Sequence, residues 1–294
     1  MTETQLLRDS GNSCRAPLPD GVHVRRVLLL ATLLAVAAGS GLLLNQYEDE
    51  TTFARNGYQG ADLVSTLLAV PLLLLALRSA RRGSVRGVLL LLGGLGYITY
   101  QYAYTFAYGW SRLFPVHLTL LALSAFTLAE MLIRLDLSAV TGSFDQRAPV
   151  AGIARFLLVL ALGLGAMEGL QVVVALITGD PPTIVTRSGH PTSPVHILDL
   201  GLVVPLMLLA SRWLRQRRPW GLIAAAVLLV KGVTVGLGLL AANVFAVLNG
   251  STTDGPLNAV WVVIAGGSAW ALVAVLRHVD PAPSWRPWVG NVPR

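Results

Sequence analysis

The feature that most constrains this chain is a series of apolar stretches, each long enough to cross a membrane as one helix. A bilayer core of about 30 Å needs about 20 mostly apolar residues per helix. Eight stretches of the 294-residue chain qualify: 25–45, 61–77, 87–108, 113–135, 152–177, 195–211, 220–247 and 257–277. The sequence therefore predicts an all-α polytopic membrane protein with eight transmembrane helices.

Composition excludes several other classes of protein. Charged residues make up only 13% of the chain, about half of the share in an ordinary soluble domain, which excludes a soluble enzyme and a disordered chain. The single cysteine, Cys14, excludes an intrachain disulfide and a thiolate metal cage. The sequence also lacks P-loop, GxSxG, CxxC and HExxH patterns, so we expect no cofactor and no metal, and these absences weigh against an enzyme.

The arginines predict the orientation in the membrane. Of the 21 arginines, 18 fall on one side of the predicted spans, and three, Arg55, Arg112 and Arg187, fall on the other. By the positive-inside rule both termini are cytoplasmic, with tails at 1–24 and 278–294. The net charge of +7 therefore reflects topology, and we expect no nucleic-acid partner. We expect the first stretch to remain an uncleaved helix, because its apolar run reaches spanning length.

A repeated segment predicts an internal duplication. The stretch 71–78 recurs 134 residues later as 205–212, and the same offset aligns further residues: Arg81 with Arg215 and Gly87 with Gly221. We therefore expect two tandem halves of four helices each, 25–137 and 152–277, joined by a cytoplasmic linker at 138–151. Because four spans return the chain to its starting side, the halves would run parallel, related by an axis along the membrane normal.

Two ionisable residues are predicted to lie deep in the membrane. Glu168 in the fifth stretch and Lys231 in the seventh fall at similar depth in the membrane. The two side chains could therefore form an ion pair. Such groups cost several kcal/mol unless they are paired or face water. One interpretation is a proton or substrate site between the halves, and the other is a buried structural pair that pins two helices.

Polar side chains in the third stretch extend this candidate site. Tyr97, Gln101 and Tyr104 share one helical face, where they could line a ligand cavity or hydrogen-bond between helices. Together with Gln171, which is one turn from Glu168, and with the two charged residues, they are the candidate ligand- or ion-binding residues.

Four further polar residues are predicted near the outer face. Asp62 and Asp199 stand near the outer starts of the second and sixth stretches, where we expect them to cap helices. His117 and His196 lie at a similar level. A membrane-embedded enzyme would require these four side chains to converge. A metal site would need a further ligand that the sequence does not supply.

Three segments of the second half resemble a family of bacterial multi-pass membrane proteins that has no characterised activity. These segments are Asp199–Pro205, Arg217–Gly221 and Val230–Gly232, and the tyrosine-rich third stretch is similar as well. The resemblance implies the eight-span fold and no particular function. The arginine-rich composition is also typical of a GC-rich bacterial genome, so we expect the bacterial cytoplasmic membrane.

The sequence alone is compatible with three functions. A transporter or channel for a small solute or ion would use the deep polar residues as its site, with the lipid bilayer and that ligand as its partners. A non-catalytic scaffold or partner subunit would use the same charges to hold helices together. An enzyme would use the outer-face residues.

Overall fold

The computed structural model describes residues 19–44, 46–105, 112–253 and 255–279. These residues are mostly helical and contain no β-strand, only an isolated bridge between Phe144 and Val279. The helices are α1 (Gly21–Leu43), α2 (Thr52–Val64), α3 (Val70–Arg81), α4 (Val85–Thr105), α5 (Phe114–Ile133), α6 (Leu137–Gly142), α7 (Val150–Thr178), α8 (Thr183–Ser188), α9 (Pro194–Leu198), α10 (Val204–Arg215), α11 (Pro219–Leu248) and α12 (Gly255–Arg277). Two π-helical segments, π1 (Ser65–Ala69) and π2 (Asp199–Val203), join α2 to α3 and α9 to α10.

Seven helical segments in the described part of the chain are long and apolar enough to span a membrane. They are Gly21–Leu43, Thr52–Arg81, Phe114–Ile133, Val150–Thr178, Pro194–Arg215, Pro219–Leu248 and Gly255–Arg277. Each segment carries exposed apolar side chains, as expected where the helix contacts lipid chains. The protein is therefore a multi-pass membrane protein.

The predicted third span is a helix, α4, but it is not one of these seven segments. It is 21 residues long, and its tyrosine, glutamine and threonine side chains and its glycine residues lower its apolar character. Thirteen of its 21 residues are buried against other helices, so α4 needs little lipid-facing surface. The last predicted residues of this span, 106–108, lie outside the described residues. Eight spans thus stay a prediction.

One helix begins nine residues earlier than the apolar pattern predicted, and another begins within one residue of its predicted start. The helix predicted at 61–77 starts at Thr52, and the side chain of Thr51 caps it by accepting a hydrogen bond from the Ala54 amide. The helix predicted from 195 starts at Pro194 and is capped by Ser193. The prediction that Asp62 and Asp199 cap these helices is therefore wrong. The ten residues 52–61 before Asp62 are mostly small or polar, so apolarity alone does not reveal these nearly three turns of helix.

The packing centre of the bundle is formed by α4 and α11. Of the seven apolar segments, α11 is the most buried. Glycines in α4 allow a close approach, because a Cβ at Gly93 would lie 2.6 Å from the side chain of Val230 and one at Gly96 would lie 2.7 Å from that of Val227. Small residues at such crossings let helix backbones pack tightly in a membrane.

Prolines explain the two π-helical segments. Pro71 and Pro205 follow π1 and π2, and each lacks an amide hydrogen and would crowd the carbonyl four residues earlier. The wider π turn relieves this conflict, with the amide before each proline donating to the residue five positions back. The two segments lie 134 residues apart, and so do the starts of α3 and α10 and of α4 and α11.

The contact between α2 and α11 predicts unequal effects of two glycine substitutions. A Cβ at Gly60 would lie 2.3 Å from the Gly238 carbonyl oxygen, whereas one at Gly57 would have no neighbour within 4 Å. We expect Gly60→Ala to destabilise the fold by about 1–3 kcal/mol because a backbone must move. Gly57→Ala should be neutral or slightly stabilising. Thermal unfolding of both variants in detergent measures the difference, and equal midpoints would contradict this contact.

Candidate functional site

A buried ion pair joins α11 to π2. The Lys231 ammonium nitrogen lies 2.8 Å from Oδ1 of Asp199, and the two residues are 7% and 5% exposed. Lys231 stands 12 residues into α11, about 18 Å along the helix axis. The sequence suggested Glu168 as the partner, and the observed partner is Asp199. Because the helix begins at Pro194, Asp199 lies within it rather than at its end.

An aromatic ring of α4 covers the other side of the lysine. The ammonium nitrogen lies 3.9 Å from the ring centroid of Tyr100, within the range of a cation–π contact. The Tyr100 hydroxyl also lies close to Asp199. The ammonium group is therefore held between a carboxylate and an aromatic face, so both its charge and its position are stabilised.

A second carboxyl group, that of Glu168 in α7, adjoins the pair. The residue is only 3% exposed, and it lies close to Asp199. Within the described residues its Oε2 atom is buried without a hydrogen-bond partner. Two buried carboxylates beside one ammonium would leave a net negative charge in a low-dielectric interior, which is costly. The cluster of Glu168, Asp199 and Lys231 is neutral when one of the carboxyl groups carries a proton.

A neutral pair stands at the corresponding place in the first part of the chain. Ser65 Oγ and the Tyr97 hydroxyl lie 2.8 Å apart and both residues are buried. Ser65 is the first residue of π1, as Asp199 is of π2, and each partner follows 32 residues later. The same two positions thus carry a hydroxyl pair in one place and an ion pair in the other.

The remaining predicted binding residues make mostly local contacts. Gln101 is half-buried, and its backbone carbonyl accepts a hydrogen bond from the Thr105 hydroxyl. Gln171 is half-buried and donates to the Met167 carbonyl at 3.4 Å. Tyr104 is half-buried and lies near Tyr100. The structure thus brings Glu168, Lys231 and Tyr104 to one region, and it places Tyr97 in the Ser65 pair.

The four residues that were predicted near the outer face fall into two groups. Asp62 accepts a hydrogen bond from the Tyr47 hydroxyl and packs on Gly41, where a Cβ would lie 1.9 Å from its Oδ2. Burial and the neighbouring Asp62 raise the pKa of Tyr47 well above its usual range, so this hydroxyl keeps its proton and donates. His117 stacks at a tilt on Tyr102, with ring centroids 5.4 Å apart.

The other two of these predicted residues, His196 and Asp199, lie in or near the buried cluster. His196 is buried, and its Nδ1 lies 2.6 Å from the hydroxyl of Ser193, one turn before Asp199. Its Nε2 is buried with no hydrogen-bond partner among the described residues. The four predicted side chains therefore do not form one acid–base constellation. In the described ranges no group of three or more His, Cys, Asp or Glu residues could hold a metal ion.

Sequence reasoning missed the role of two residues, Asp199 and Tyr100. A signal for Asp199 was present, because the 134-residue offset aligns Lys231 with Tyr97 and Asp199 with Ser65. Two polar pairs at one spacing of 32 would have pointed to a shared contact.

Comparisons of the chain with protein-family models, with curated proteins and with solved structures give no match.

The two pairs predict different coupling energies. Removing one partner of a buried ion pair costs about 3–5 kcal/mol because the other charge stays buried, whereas a neutral hydrogen bond contributes about 1 kcal/mol. We therefore expect a double-mutant cycle of Asp199→Asn and Lys231→Met to show the larger coupling. The matched cycle uses Ser65→Ala and Tyr97→Phe. Chemical unfolding in detergent gives both values, and similar coupling energies would contradict an ion pair between Asp199 and Lys231.

Proposed function

We propose that this protein is a membrane transporter for a small solute or ion, with the cluster of Glu168, Asp199 and Lys231 as its site. In this proposal the two carboxyl groups take up and release one proton as the solute moves. The observation that carries the proposal is the second buried carboxyl group, since Asp199 alone would neutralise Lys231. Ionisable groups inside membrane segments commonly mark ion pathways and proton relays.

The helix that carries Asp199 supports this assignment. Asp199 opens a π-helical segment that precedes a proline, and single π turns are frequent at functional sites. Irregular helices near the middle of the membrane are also where secondary transporters bind substrates and coupling ions. The helix irregularity and the charged cluster coincide at this residue.

We further propose that the chain consists of two related halves and crosses the membrane eight times. The shared 134-residue offset of the π segments, of the helices after them and of the two polar pairs supports a duplication. Close glycine contacts repeat as well, since Gly87 faces Ser79 and Ala80 while Gly221 faces Trp213 and Leu214.

This arrangement would place the site at the junction of the halves. Tyr100 belongs to the first half, whereas the three charged residues belong to the second. A site at such a junction is typical of transporters built from repeats, because movement of one half against the other exposes it to each side in turn.

Cysteine accessibility tests the eight-span topology. In a background in which Cys14 is replaced by serine, Arg82→Cys lies before α4 and Arg112→Cys after it. If α4 crosses the membrane, a membrane-impermeant maleimide will label Arg112→Cys in intact cells and Arg82→Cys only after the membrane is opened. The native Cys14 should behave like Arg82→Cys, as expected for a cytoplasmic N-terminus in a bacterial inner membrane. Labelling of both substituted cysteines from one side would mean that α4 does not span.

A non-transporting partner subunit is the alternative function. The close contacts of Gly93 and Gly96 with α11 favour it, because they pack α4 and α11 tightly beside the ion pair. In that case the cluster would be a structural pin that water does not reach. The two functions differ in whether the site opens to solvent.

Lys231 is the only lysine in the chain, so an amine-reactive reagent reports on water access to the site. We expect a small reagent to modify Lys231 in folded protein in proteoliposomes, and faster at higher pH because only the uncharged amine reacts. Glu168→Gln removes the carboxyl group that favours the charged ammonium once it is ionised, so it should increase the rate most at high pH, whereas Glu48→Gln in an exposed loop should not. Mass spectrometry measures the modification, with the N-terminal amine as internal reference.

Two outcomes separate the transporter from the partner subunit. Modification of Lys231 in the folded protein supports a site that opens to water. A lysine that reacts only after unfolding, in both the native chain and Glu168→Gln, would overturn the transporter proposal and support the structural pin.

A further inference from the structure

A cleft of about 430 Å³ opens between α1 and α3, away from the buried cluster. Its apolar walls come from Val24 and Leu28 of α1 and from Leu74 and Leu77 of α3. Leu28 and Leu74 are 46% and 41% exposed, so the cleft is open at the surface of two membrane-spanning helices. An apolar chain that enters from the bilayer would find a matching surface there.

Three arginines line the end of this cleft. Arg78, Arg81 and Arg82 lie at the C-terminal end of the spanning segment Thr52–Arg81, at the level where lipid headgroups begin. All three are exposed, and their guanidinium groups form no hydrogen bond or ion pair with any residue that the structure describes. Three positive charges this close repel one another, so a bound anion would stabilise the arrangement.

We propose that this cleft binds one anionic phospholipid, with the phosphate on the three arginines and an acyl chain along the leucine walls. Guanidinium groups bind phosphate through paired hydrogen bonds. Basic pockets between membrane helices are a recognised type of site for anionic headgroups. The apolar walls distinguish a lipid from a free phosphate ion, which would use only the arginines. This site is independent of the proposed transport function.

The corresponding place in the second part of the chain supplies a matched control. With the 134-residue offset, Arg212 and Arg215 correspond to Arg78 and Arg81, but Gln216 replaces Arg82 and Ser211 replaces Leu77. The hydroxyl of Ser211 donates a hydrogen bond to the Ala154 carbonyl at 2.8 Å, which joins α10 to α7. That end therefore keeps arginine at two of the three cleft positions, and a polar contact stands where the cleft has an apolar wall. Arg217 and Arg218 follow at positions that correspond to Gly83 and Ser84, and the Arg217 guanidinium donates to the Gln146 backbone carbonyl at 2.7 Å.

Native mass spectrometry of the detergent-purified protein tests the proposal, with phosphatidylglycerol as the anionic probe and phosphatidylcholine as the zwitterionic control. We expect one phosphatidylglycerol to remain bound in preference to phosphatidylcholine. The triple variant Arg78→Gln, Arg81→Gln, Arg82→Gln should bind about a hundredfold more weakly, at roughly fivefold per arginine. The matched variant Arg212→Gln, Arg215→Gln should retain the lipid. Equal loss in both variants would show a general charge effect and overturn the proposal.

A second variant separates a lipid from a free anion and does not depend on the arginines. Leu28→Trp adds bulk to an exposed wall of the cleft, and we expect it to reduce phosphatidylglycerol binding while the three arginines remain. Inorganic phosphate, measured by its effect on thermal unfolding, should not compete with the lipid at equal concentration. If Leu28→Trp binds the lipid as well as the native chain, or if phosphate displaces it, the cleft is not a phospholipid site.

Discussion

A single ammonium group inside the membrane governs the centre of this structure. Lys231 lies about 18 Å into its helix and is only 7% exposed, so neighbouring protein groups must stabilise its charge. Its charge requires a carboxylate at the same depth, and Asp199 reaches that depth because its helix begins at Pro194 and widens into a π turn at Asp199 itself. The proline after that turn is therefore connected to the charge, since it favours the backbone shape that presents the carboxylate.

The pair of Ser65 and Tyr97 shows what this site looks like without charge. It has the same spacing and the same position at the start of a π turn, and it satisfies two hydroxyl groups with one hydrogen bond. A neutral pair is sufficient to join the two helices at this point. The fold therefore does not require an ion pair at the position of Asp199 and Lys231. Burying two charges costs desolvation free energy that a pair of hydroxyl groups avoids.

Sequence reasoning predicted the helical membrane architecture because apolar length is read directly from the chain. Seven of the eight predicted stretches correspond to apolar spanning helices, and the eighth, α4, is a helix whose burial by neighbours lets it carry polar side chains. The same reasoning identified Glu168 and Lys231 as deep charges. It did not find the partner Asp199, because a carboxylate near the start of a helix was interpreted as a cap, whereas Ser193 caps this helix and leaves the Asp199 side chain to contact Lys231.

The cluster contains two carboxyl groups and one ammonium group, and this excess of carboxyl groups is the strongest physical argument for a function. A structural pin needs equal numbers of opposite charges, and Asp199 already balances Lys231. Glu168 adds a third ionisable group whose Oε2 is buried and unpartnered among the described residues, so it lowers stability unless it carries a proton. A group that must hold a proton next to an ion pair can also pass that proton to Asp199, which would release Lys231 from its partner. The arrangement therefore links protonation to the ion pair that joins π2 to α11.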